Sequence, residues 1–170
     1  MESFGVISYG VGVLGIFELD LTNGTVNTIV SPKVEEFGYL HSFSQNGKYL
    51  AVSKDGVSIF NLETGEKTNV PVSEPLVGNL MWSIESDKLV FGSCEPDFYY
   101  KDPFSSSISI YSLNSNTISK IIEKKGLFLS ASNLDENGFE IFEGKLNTNS
   151  AQIGIYYWDK GLSLTATPVP

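Results

Sequence analysis

One short string occurs four times in this chain, at a spacing that neither a helix nor a hairpin would impose. Phe17-Glu18-Leu19-Asp20-Leu21-Thr22-Asn23-Gly24 returns as Phe60-Asn61-Leu62-Glu63-Thr64-Gly65 and as Tyr111-Ser112-Leu113-Asn114-Ser115-Asn116. Its last copy is Tyr156-Tyr157-Trp158-Asp159-Lys160-Gly161. The aromatic residues are 43, 51 and 45 positions apart. Each copy is a strand running into residues that favour a tight turn. A unit of this length cannot bury an apolar face by itself, so it must stack on its neighbours.

The stretches between the copies complete the pattern. In the second unit, Tyr39–Phe43, Lys48–Ser53, Val57–Leu62 and Glu66–Val70 read as four strands. They are joined by Gln45-Asn46-Gly47-Lys48, Lys54-Asp55-Gly56 and Glu63-Thr64-Gly65, and Asn-Gly is a strong hairpin signal. The third unit aligns without a gap at an offset of 39, Phe43–Val52 on Trp82–Phe91. It then inserts a connection from Glu95 to Ser106 before its third strand resumes at Ile108. In the fourth unit, after Leu127, Asp135-Glu136-Asn137-Gly138 is the turn, and the strands are Phe139–Phe142, Gln152–Trp158 and Leu162–Thr167. The first unit supplies three strands, Phe4–Tyr9, Val13–Leu19 and Thr25–Ile29, and lacks an initial one. Ser31-Pro32 has the makings of a helix start, so one helical turn is expected over 31–36. Pro168 and Pro170 disfavour the tail as a closing strand. The expectation is an all-β, single domain over residues 1–170. Its three to four antiparallel meander sheets (units about 1–30, 37–72, 78–122 and 127–167) are arranged like propeller blades, the first incomplete.

The string Phe43-Ser44-Gln45-Asn46-Gly47-Lys48-Tyr49-Leu50-Ala51-Val52, followed by Val57-Ser58-Ile59-Phe60-Asn61-Leu62-Glu63-Thr64-Gly65-Glu66, resembles a blade of the bacterial TolB-like propellers. Such blades carry an aromatic residue, Ser, a Gly-Lys turn, an apolar strand and an outer turn ending Thr-Gly-Glu. The chain departs from the pattern at Gln45, where proline is usual. Trp158-Asp159 is its only Trp-Asp pair and no Gly-His precedes it, so the chain does not resemble the WD-repeat family. The resemblance implies a fold and a binding habit, not a substrate.

Charge narrows the partners. The formal net charge is −9. Such a surface repels phosphate, which argues against nucleic acid, and it draws in a basic protein. Cys94 is the only cysteine, so no internal disulfide forms and a reducing compartment is favoured. Val11–Phe17 is too short for a membrane span and lacks the basic flank of a signal peptide. A cytoplasmic protein without membrane attachment is expected.

No catalytic constellation stands out. His41 is the only histidine and is expected to pack or to line a channel, because catalytic and metal roles need convergent partners. Cys94 reads as a small buried hydrophobe. Glu35-Glu36 and Asp135-Glu136 are sequence neighbours that point to opposite faces, so they form no facing acid–base pair. Gly10-Val11-Gly12 and Gly15 form no phosphate loop. The expectation is a non-enzyme with no cofactor and no metal. The best candidate site is the insertion, where Asp97, Phe98, Tyr99, Tyr100, Asp102 and Phe104 combine aromatic anchors with acidic groups. Glu35 and Glu36 would add acidic rim contacts. Folding back to cap a sheet edge is the other reading of that loop. These features predict a protein-binding module, most concretely a small acidic inhibitor or immunity protein blocking a basic partner such as a nuclease toxin. Part of a larger propeller scaffold and a carbohydrate-binding protein are the alternatives.

Overall fold

The computed structural model describes residues 3–6, 14–20, 22–33, 40–53, 56–73, 76–95, 104–145 and 149–165, and all its regular elements are strands. The chain divides into two compact units, Met1–Tyr39 and Leu40–Pro170.

The first unit holds β1 (Ser3–Val6), β2 (Leu14–Asp20) and β3 (Val26–Lys33) in one antiparallel sheet of order β1-β2-β3. Here two expectations are corrected. Ser31-Pro32-Lys33 continues β3 instead of starting a helix, and Lys33 pairs with Leu14. β3 lies at the sheet's edge and its pairing with β2 is irregular there, so the donor that proline lacks is not needed. Residues 34–36 lie outside the described residues. The repeat also slips. The Gly24 N–H donates to the Asp20 carbonyl as the Gly65 N–H does to Asn61. That matches Leu19, not Phe17, to Phe60. A two-residue slip leaves every side chain on its original face, so the pattern of apolar residues cannot detect it.

The second unit contains three four-stranded antiparallel meanders. The first is β4 (Leu40–Phe43), β5 (Tyr49–Ser53), β6 (Val57–Asn61) and β7 (Lys67–Val70). The second is β8 (Leu76–Trp82), β9 (Lys88–Cys94), β10 (Ser105–Ser112) and β11 (Thr117–Lys125). The third is β12 (Phe128–Ser132), β13 (Gly138–Gly144), β14 (Ala151–Tyr157) and β15 (Gly161–Leu164). Spatial order follows chain order in each. The strands match the sequence reading to within a few residues, β10 beginning at Ser105 instead of Ile108.

The repeated string now has a mechanical meaning. Its turn always needs one residue with positive φ, and Gly24, Gly65, Asn116 and Gly161 supply it at 73°, 74°, 53° and 78°. Just past each third strand in the second unit, a main-chain N–H reaches back to the first hairpin. Leu62 donates to Lys48 O, Leu113 to Asp87 O and Trp158 to Asn137 O, at 2.8, 2.9 and 3.0 Å. The 39-residue offset also holds in detail. Ser44 Oγ accepts from the Tyr49 N–H and Ser83 Oγ from the Lys88 N–H.

The sheets stack face to face through two apolar layers. Ala51, Val57, Ile59 and Val70 meet Trp82, Leu89, Phe91 and Tyr111 in the first. Val90, Ile108 and Ile110 meet Leu129, Phe139 and Ile141 in the second. Alternation along β9 sends Leu89 and Phe91 one way and Val90 the other, so the middle sheet is buried on both faces. Leu50 and Val52 on β5 stand where Leu89 and Phe91 stand on β9, and they are buried outside both layers. At the other end the plan changes. The position of Ala51 and Val90 is taken by Glu140, whose carboxylate accepts from Asn133.

Candidate binding site

The 95–104 connection leaves and rejoins the middle sheet beside the second apolar layer. Its neck is closed twice. The Glu95 N–H donates to the Ser105 carbonyl at 3.1 Å, and the Ser105 N–H donates to the Glu95 carboxylate at 2.9 Å. The neck is then tied to the third sheet. The Phe104 ring is 8% exposed and lies 4.6 Å from that of Phe128 on β12. The Phe104 carbonyl accepts from the Gly126 N–H. Of the expected contact residues, Phe104 is thus an inward-packed anchor. Asp97, Phe98, Tyr99, Tyr100 and Asp102, with Glu35 and Glu36, lie outside the described residues.

Beneath the neck a cleft of about 340 Å³ opens between β8, β9 and β12, with Gly78, Gly92, Ser93, Cys94, Phe128 and Leu129 among its walls. Among the described residues, none of those lining it is charged. Three local features hold it open. β8 bulges between Gly78 and Met81, putting Asn79 in the left-handed region at φ 52°. The bulge sends Leu80 into the first apolar layer, while the Asn79 amide makes a long 3.5 Å bond to the Ala131 carbonyl. Gly78 and Gly92 are a directly opposed cross-strand pair. The small hydroxyl groups alongside are spent internally: Ser93 and Ser107 share a hydrogen bond at 2.9 Å, and Ser106 Oγ donates to Leu127 O. The second donation and the Asn79 contact tie the Leu127 carbonyl, just before β12, and the Ala131 carbonyl on β12 to the middle sheet. A second cleft of about 480 Å³ shares Asn79 and Ser130 and continues along β12 to Phe142.

The other singled-out groups have ordinary surroundings. His41 sits on β4 with its ring edge-on to Phe43 at 6.4 Å, and burial lowers its pKa, favouring neutral imidazole. Cys94 is half-buried in the cleft wall. Asp135 uses one carboxylate oxygen to accept from the Asn137 and Gly138 N–H groups, which is a turn role. Among the described residues no cluster of three or more metal-ligating side chains occurs. Among them, too, no helix is long and apolar enough to cross a membrane. The sequence reading missed the cleft. A glycine pair across two strands was the available signal, and it shows only once the register is known.

No protein-family model matches the chain, and no curated protein matches it. Solved structures do match. The β-propeller domain of the Trilobed protease from Pyrococcus furiosus, described as having an open velcro topology, aligns over 98% of this chain and 58% of its own, at 16% identity and TM-score 0.60. Oligogalacturonate lyase from Vibrio parahaemolyticus aligns over 89% and 45%, at 11% identity and TM-score 0.64. TolB from Acinetobacter baumannii aligns over 85% and 38%, at 10% identity and TM-score 0.54. The chain spans less than two thirds of each. At identities this low the matches show the fold alone, which is that of β-propeller blades and resembles TolB among others.

Proposed function

We propose that this chain is a blade-bearing part of a larger propeller scaffold that works by binding, not by catalysis. The supporting observation is that one stacking plan is used twice and prepared a third time. Leu50 and Val52 repeat on β5 the apolar pair that Leu89 and Phe91 form on β9, and they are buried like it. At the β12–β15 end Glu140 interrupts that plan. The matched propellers, each larger than this chain, agree with the reading. Light scattering with a calorimetric melt of the isolated chain tests it. Self-association or a broad, multistep melt is expected, and a monodisperse monomer melting in one cooperative step overturns it.

A second reading rests on the net charge of −9. Here the chain is an acidic cytoplasmic inhibitor or immunity protein that anchors on a basic toxin through Asp97, Phe98, Tyr99, Tyr100 and Asp102, with Phe104 holding the loop's base and steering supplied by the long-range field. With a purified candidate toxin, Tyr99→Ala with Tyr100→Ala should weaken binding, and added salt should slow association. Unchanged binding removes the loop from the interface.

A further inference from the structure

We propose that Asn137 is a site of spontaneous covalent modification, its carboxamide cyclising onto the Gly138 nitrogen with the Asp135 carboxylate as base. This goes beyond the scaffold reading and does not depend on it. An asparagine followed by glycine is chemically vulnerable, because no Cβ shields the glycine nitrogen from the carboxamide carbon one residue before. The chain has three such pairs, Asn23-Gly24, Asn46-Gly47 and Asn137-Gly138. All three asparagines are exposed, so access does not separate them. Their partners do. The Asn23 carboxamide donates to Asp20 Oδ2 at 2.8 Å and accepts from the Thr25 N–H and hydroxyl at 2.8 and 2.7 Å. The Asn46 carboxamide oxygen accepts from Ser44 Oγ at 2.8 Å and from the Lys48 N–H at 3.0 Å. Both side chains are thereby held off the glycine that follows. Among the described residues, the Asn137 carboxamide makes no hydrogen bond.

The nucleophiles differ as well. The Gly24 and Gly47 N–H groups donate to main-chain carbonyls, those of Asp20 and Ser44, which are poor proton acceptors. The Gly138 N–H donates to Asp135 Oδ1 at 3.0 Å, which puts a carboxylate within proton-transfer reach of the attacking atom. The step balances within the turn. The Gly138 nitrogen bonds to Asn137 Cγ as a succinimide ring closes, and the Cγ–Nδ2 bond breaks. Asp135 takes the proton from the Gly138 nitrogen and passes it to the carboxamide nitrogen, which leaves as ammonia. Water then opens the ring at either carbonyl, giving aspartate or isoaspartate. Packing keeps the vulnerable pair in place, since a Cβ on Gly138 would overlap the Tyr156 carbonyl oxygen. Isoaspartate lengthens the main chain in the very turn whose Asn137 carbonyl accepts the Trp158 N–H.

The test follows all three pairs in one sample. The folded full chain is held at mildly alkaline pH, sampled over days and cut at its lysines. Mass spectrometry of the peptides then reads conversion of amide to acid at each asparagine, and an isoaspartyl methyltransferase scores isoaspartate. Asn137 should convert several-fold faster than Asn23 and Asn46, and the three rates should draw together in guanidinium. Asp135→Asn keeps an oxygen for the two N–H groups and removes the base, so it should slow conversion at Asn137 several-fold and leave Asn46 unchanged. An Asn137 that converts no faster than Asn46 in the folded chain overturns the proposal. So does an Asp135→Asn variant, shown to be folded by its melt, that converts Asn137 as fast as the wild type. If that variant does not fold, the ranking of the three sites in the wild type decides alone.

Discussion

The two junctions between the three four-stranded sheets follow one plan and differ in how tightly they close. At the first, Trp82 is 4% exposed, stacks on Tyr49 at 5.8 Å and donates its indole N–H to the Ser42 carbonyl at 2.9 Å. Ser53 Oγ adds a bond to Val77 O at 3.0 Å. At the second, Trp158, just past β14, packs against the second apolar layer and stays half-buried. Lys88 lies over its ring at 5.6 Å, and Lys124 reaches Glu143 at 2.9 Å. A rigid aromatic wedge closes the first junction, whereas flexible lysines and small serines leave the second with its cleft. Identical topology therefore does not dictate a sealed interface. The side chains at the ends of the inner strands decide it.

The sharpest way to break this contrast is truncation. Trp82→Ala should cost about 3–5 kcal/mol in urea unfolding, the range for removing a buried tryptophan. Trp158→Ala should cost clearly less, and equal losses would mean that the two junctions are energetically alike. Trp82→Phe keeps the stacking and removes the indole donor, so a loss of about 1–2 kcal/mol is expected for the buried carbonyl left unpaired. No loss would reassign the closure to packing alone. Lys124→Met tests the second junction. The pair is partly exposed, with side-chain exposures of 37% and 12%, so after screening by solvent a loss below about 1 kcal/mol is expected, shrinking further in high salt. A salt-independent loss would point instead to packing of the lysine stem.

The smallest effect lies in the turn that carries Asp87. Burial pushes this carboxyl up, but the hydrogen bonds from Lys88 and Ser83 and the charge of Lys88 outweigh it, so its pKa falls below the ordinary value. A depressed carboxylate stabilises the fold above its unfolded pKa, and the contribution disappears as pH falls through the folded value. Asp87→Asn should therefore lower stability slightly near neutrality and flatten the acid limb below about pH 4, the two proteins converging at low pH. An unaltered acid limb would show that the turn is held by its serine alone.

Much of the fold was legible because its rules are local. Asn46-Gly47 and Thr64-Gly65 announce their turns through residues that accept positive φ, and alternation around Ala51 and Ile59 announces the faces. Where other residues take over those roles, the text is fainter. Ser86 adopts φ 61° in the turn where Gly47 adopts 71°, although serine is not a glycine substitute by habit. Ser105 to Ser107 read as loop because they are polar, yet they enter β10 and are largely buried with their hydroxyl groups paired. The candidate site was less legible still. Its walls include a cross-strand pair, and the pairing of Gly78 with Gly92 depends on a bulge that no string of letters displays. The aromatic insertion was visible as composition, but whether Phe104 faces solvent or Phe128 is decided by tertiary packing.

The burial of the middle sheet on both faces also shapes how the molecule comes apart. Sheets coupled only to their neighbours behave as a short linear array, in which an end element gives up one interface on melting and a central one gives up two. Unfolding of the second unit should therefore begin at β12–β15 or β4–β7. The amides of β9 and β10 should exchange with solvent last, their opening free energy approaching that of the whole unit.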